Sequence, residues 1–172
     1  MSRRERQRGV AIVEFSLAGI GTIFLLICTF HLSMGMWNYH VLSNVAHDTT
    51  RYLAVKGVNC TKPGNSCSVT VGTIESKVAA LAVGIPDDSL ILTLTTDSGA
   101  VTTCNPLNTC AGNTTVWPPK GGTLNDNAVG KKIRVDVKYR FQSPLLFFWP
   151  GAGATQFGTV WFPASSTQTI MF

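Results

Sequence analysis

Residues 3–37 read RRERQRGVAIVEFSLAGIGTIFLLICTFHLSMGMW, and this stretch decides what kind of chain the rest belongs to. Four arginines, Arg3, Arg4, Arg6 and Arg8, stand against Glu5 alone. Residues 10–37 then run 28 positions with one carboxylate (Glu14), one histidine (His31) and no Lys or Arg. As a helix at about 1.5 Å per residue this run is roughly 42 Å long, more than the ~30 Å hydrocarbon core of a bilayer needs. Arginines before it and few basic residues just after it put the N-terminus in the cytoplasm and everything beyond about residue 38 outside. A cleavable secretory signal has an apolar core of about 7–15 residues ending in a small-x-small site. The one weak site of that kind, Ser33-Met34-Gly35, lies inside the run. A plain signal anchor fits better, and a buried core helix fits worst, because the run is too long and too evenly apolar.

None of these three readings accounts for Glu14. A carboxylate at the centre of a membrane helix costs about 2.5–3.5 kcal/mol, less near an end. The positive end of the helix dipole returns only about 0.3–1 kcal/mol of that. A group kept at such a cost usually has a partner.

Arg8-Gly9-Val10-Ala11-Ile12-Val13-Glu14-Phe15 resembles the processing motif of type IV prepilins: a basic leader, Gly, four apolar residues, Glu, then an aromatic. The resemblance implies cleavage by a membrane-embedded prepilin peptidase between Gly9 and Val10, which leaves Glu14 fifth in the mature chain. A bare Gly9 lets the backbone enter a protease cleft. The new Val10 ammonium then needs an anion in apolar surroundings, and Glu14 can supply it within the chain or to a neighbouring subunit. Glu14 and Phe15 are thus the expected assembly residues.

The likeness narrows to TadE/TadF-like minor pilins, or pseudopilins, of tight-adherence (Flp) pili. Val45-Ala46-His47-Asp48-Thr49-Thr50-Arg51-Tyr52-Leu53-Ala54 is similar to the family's amphipathic continuation. Residues 133–141 and 165–172 are similar to its closing strands around an aromatic, Pro-containing loop. One departure is that Gly19 and Gly21 occupy the region where the family commonly has a proline, which bears on a helix kink there. The implied partners are other pilin subunits, the assembly machinery, the peptidase and the inner membrane. The implied itinerary ends in an extracellular pilus used for adherence.

The rest of the chain reads from its own patterns. Leu42, Val45, Ala46, Thr49, Tyr52 and Leu53 recur at helical steps, with His47, Asp48, Arg51 and Lys56 turned elsewhere. No Pro or Gly interrupts 37–56, so one helix of about 70 Å is expected over 10–56, with Gly57 as its stop. Residues 69–71 suit a short strand. Ile74, Val78, Leu81 and Ala82 mark a short helix ending near Gly84, and Leu90, Leu92 and Leu94 give a strand with one apolar side. Residues 97–130 read as loop. Ile133, Val135, Val137, Tyr139 and Phe141 alternate with Lys132, Arg134, Asp136, Lys138 and Arg140, which is an antiparallel strand wet on one face. Its charged side is either an anion-binding stripe or, more simply, a solvated face that blunts aggregation. The expected architecture is α+β and pilin-like: a leader (1–9), a transmembrane helix (10–37), its continuation (38–57) and a small antiparallel-sheet head with one short helix (58–172).

Cys28, inside the apolar run, suits an unpaired packing residue. Four cysteines remain, as the close pairs Cys60/Cys67 and Cys104/Cys110. Three connectivities are open. Turn-rich intervening residues favour the two local bridges, formed in an oxidising periplasm or exterior. Zinc is the rival, but the spacings exceed those usual within a ligand pair. Phe147, Phe148 and Trp149, with Trp161 and Phe162, flank a glycine-bearing stretch and read equally as core or as a loop contacting a partner.

The net charge of +5 on 172 residues is no nucleic-acid signal, because +3 of it sits in the first eight. His40 and His47 lie about 10.5 Å apart along their helix, too far to share a metal. Asp87-Asp88 read as turn residues, and Asn113-Thr114-Thr115 as a silent glycosylation match in a bacterial chain. No nucleophile elbow, zincin, P-loop or Cys-x-x-Cys motif occurs, so no enzyme activity, metal, cofactor, small-molecule substrate or nucleic acid is expected. The alternative to a pilin is an uncleaved, membrane-anchored adhesion or binding domain.

Overall fold

A computed structural model describes residues 3–60, 67, 69–119, 126–142 and 159–171, with 3–10 as backbone only. Helix α1 (Arg3–Ala54) is continuous over 52 residues, about 78 Å, and passes Gly19 and Gly21 without a break. Its second half places Gly35, Asn38, Leu42, Val45, Ala46, Thr49 and Leu53 along one buried stripe at helical spacing. The helix ends at Ala54, earlier than the expected stop. Gly57 is not left-handed and does not cap it. The last turn is closed instead by the amides of Lys56 and Met171, which donate to the carbonyls of Leu53 and Ala54, each at 2.9 Å.

After α1 come β1 (Val69–Thr70), α2 (Val71–Leu81), β2 (Leu90–Thr96), β3 (Val101–Cys104), β4 (Val116–Trp117), β5 (Lys132–Gln142) and β6 (Thr159–Thr169). Thr70 caps α2 by accepting the Thr73 amide on its hydroxyl. Asp87–Ser89 form a short 3-10 turn, as their position after Pro86 suggests. Four strands make one antiparallel sheet in the order β3-β2-β5-β6, and β1 pairs with β4 apart from it. Register sets Leu92 opposite Val137, Leu94 opposite Val135, and Val137 opposite Ala164, so the apolar positions of β2 and β5 share one face. The buried stripe of α1 covers that face, and α2 packs beside it through Ile74 and Val78. Small residues bring α1 close to β6: the Thr50 hydroxyl, bonded to the Ala46 carbonyl at 2.6 Å, lies 3.5 Å from the Ser166 carbonyl.

Three sequence expectations change. Residues 97–130 are not all loop, since they hold β3, a 3-10 turn (Leu107–Cys110) and β4. The last strand begins at Thr159, not 165. Trp161 and Phe162 therefore belong to β6 and not to a loop. Pro163 is tolerated there because β6 is an edge strand, where a missing amide can face away from the ladder. The charged face of β5 is solvated as expected, although β5 is an interior strand of the sheet.

Candidate functional site

The chemistry-bearing surface is the first half of α1 and the point where it meets the sheet. Between Ile12 and Trp37 the large apolar side chains are exposed around the whole helix, Phe15 at 81% and Trp37 at 66%. The most apolar window of the helix is 0% buried, and it is long and apolar enough to cross a membrane. Its hydroxyls are handled locally. Ser16, Thr22, Thr29 and Ser33 each donate to the carbonyl four residues back at 2.9 Å, so no hydroxyl is left seeking water. Glu14 projects from this surface, and no hydrogen bond or ion pair reaches it among the described residues. Gly9 and Val10 lie within the helical backbone of α1, one turn before it.

Where α1 meets the sheet, aromatic rings gather. Phe141 of β5 and Phe162 of β6 stack at 5.4 Å, and Tyr39 stands edge-on to Phe162 at 6.5 Å. Tyr139 adds a further edge contact to Phe141. Gly35 faces the pair, and a Cβ there would lie in ordinary van der Waals contact, 3.7 Å from the Phe162 ring and 4.0 Å from that of Phe141. Of the expected contact residues, Phe162 is thus half-buried core, while Trp161, on the opposite sheet face, is 42% exposed. Phe147, Phe148 and Trp149 lie outside the described residues.

Both local disulfides are formed, Cys60–Cys67 and Cys104–Cys110, and Cys28 is free. That pairing displaces the zinc alternative, because bridged sulfurs are not thiolate ligands. His47 lies 3.7 Å from Asp48 and His40 beside Tyr39, so the two imidazoles have separate neighbours. On the open sheet face Arg134 holds Asp136 through a bidentate pair at 2.8–3.0 Å. A shallow groove of about 400 Å³ runs beside that pair along Lys138, Pro163 and Ser165. The cation stripe is therefore partly neutralised by its own aspartate.

Two buried carboxylates, Glu75 on α2 and Asp126, escaped sequence reasoning, and Asp126 is the more deeply buried. Asp126 accepts the Ser98 amide at 3.2 Å and the Ser98 hydroxyl, closing the turn between β2 and β3. Burial alone raises its pKa, but the hydrogen bonds from Ser98 and Thr96 and the nearby Lys131 outweigh this and hold it below 3.8. Its hydrogen-bonded partner Ser98 lies 28 positions away, so no local pattern announces it. Asp126 stabilises a turn.

No protein-family model matches this chain, and comparisons with curated proteins and with solved structures likewise find no match.

Proposed function

We propose that this chain is a minor pilin or pseudopilin of the Tad/Flp type, an assembly subunit and not an enzyme. In this reading it enters the inner membrane with its N-terminus cytoplasmic and its head periplasmic. It is cut after Gly9, then drawn from the bilayer into a pilus that serves adherence. One observation carries the proposal: a single helix leaves an all-round apolar half bare, then continues unbroken into the head's core, with Glu14 the lone carboxylate of the bare half. Such a helix can exchange lipid for the helices of neighbouring subunits without refolding the head. Glu14 offers the Val10 ammonium its counter-charge and fixes the register between subunits.

The leader gives the direct test. Gly9→Leu places a bulky side chain at the scissile bond and leaves full-length precursor in cells that process the parent chain. Normal maturation of that variant refutes the cut site. An uncleaved membrane-anchored binding domain is the competing outcome, and it predicts an intact Arg-rich N-terminus whatever occupies position 9.

A further inference from the structure

The head has a lipid-facing end of its own, and the geometry of β6 points to it. α1 and β6 run in the same direction: Gly35 and Tyr39 meet Phe162, and the Met171 amide meets the Ala54 carbonyl. Residues before Phe162 on β6 therefore lie toward the bare apolar half of α1. Those residues are Thr159, Val160 and Trp161, of which Val160 and Trp161 are 36% and 42% exposed. Phe162 sits between Gly35 and Tyr39, level with Trp37, and Trp161 is one strand step from it, about 3.4 Å.

We propose that this end of the sheet, Val160 and Trp161 with Arg140 and Lys138 beside them, rests on the surface of a phospholipid bilayer next to the emerging helix. The inference rests on the reading of α1 as a membrane span. Trp and Tyr are the side chains that favour the headgroup layer, and here Trp37, Tyr39 and Trp161 reach it from two different elements. Register sets Arg140 opposite Trp161 and Lys138 opposite Pro163. Both cations are exposed and make no ion pair among the described residues, whereas Arg134 further along β5 is held by Asp136. Lys132, at the far end, is also exposed. Unpaired cations next to an exposed Trp suit lipid phosphates, to which long basic side chains can extend. The bilayer is the occupant because the apolar helix delivers it to this level.

The contact also fixes where the helix sits. A ~30 Å hydrocarbon core takes about 20 helical residues, so a boundary at Trp37 puts the other near Leu17. Glu14 then falls in the opposite headgroup layer, where an ionised carboxylate costs far less than at the centre.

The test uses the full chain in vesicles of phosphatidylcholine and phosphatidylglycerol, some of whose lipids carry bromine high on the acyl chain. Tryptophan quenching is compared for the parent, Trp37→Phe and Trp161→Phe. Trp161 is exposed, and Phe in its place leaves the core intact. The expected result is that each substitution removes part of the shallow quenching. Loss with Trp37→Phe alone overturns the lipid contact and leaves the span standing. No loss with either removes the span, and the contact with it.

Discussion

The Gly72 amide donates to the Asn113 carbonyl at 2.9 Å, and a Cβ on Gly72 would stand 2.9 Å from the Asn113 nitrogen. The first turn of α2 is thus pressed onto the backbone that follows the Cys104–Cys110 loop, and no flexible side chain is available to yield. Gly72→Ala should destabilise the head by about 1–3 kcal/mol, the usual cost of overpacking. Gly35 is the contrasting case, because a Cβ there makes ordinary contacts at 3.7 and 4.0 Å. Gly35→Ala should be neutral or gain up to about 1 kcal/mol of helix preference. Denaturant titration of both variants in detergent checks the pair, and equal effects would contradict the packing account.

Removing a bridge tests the local pairing. Loops of 6 and 7 positions restrict the unfolded chain by about 2 kcal/mol each in the chain-entropy treatment. Replacing Cys104 and Cys110 together by Ala should lower stability by roughly that amount, while reductant should have no further effect on this loop. Peptide mapping without reduction should recover Cys60–Cys67 and Cys104–Cys110; a Cys60–Cys104 link would overturn the pairing.

Acid should weaken the turn closed by Asp126. Its folded pKa lies below 3.8, so its contribution is complete above that value and is lost as pH falls through the lowered one. Asp126→Asn should therefore be less stable than the parent near about pH 7, with the difference shrinking toward about pH 2. A difference that stays constant across this range would remove the carboxylate from the explanation.

Glu14→Ala separates assembly from folding. The head should melt unchanged, because Glu14 touches none of its described residues. Stranding the Val10 ammonium in an apolar packing costs about 3–5 kcal/mol, so incorporation into surface fibres should fall about a hundredfold or more. Undiminished fibres would exclude the charge pair.

Much of this architecture is legible in the sequence where pattern is local. The apolar run, the stripe from Leu42 to Leu53, the alternation in β5 and the leucines of β2 all show their period within a dozen residues. Long-range pairing hides the rest. β3 has four residues and only Cys104 fully buried, and β4 has two, so neither displays alternation. β6 reads as loop at its start because Pro163 interrupts it, and as merely polar at its end. Its core-facing side is Ala164 and Ser166, whose small size suits the close approach of Thr50 and not a hydrophobic pattern. The aromatic junction was legible as a cluster, but its division into half-buried Phe162 and exposed Trp161 depends on strand register, which composition does not carry. Asp126 is the furthest from reach, since its burial depends on a turn 28 positions earlier.

The role given to Glu14 turns on the peptide bond between Gly9 and Val10, whose fate is read by the intact mass and N-terminal sequence of the protein recovered from host cells with an active prepilin peptidase. The processed subunit is expected to begin Val10-Ala11-Ile12-Val13-Glu14. A chain that still begins at Met1 in those cells would contradict it.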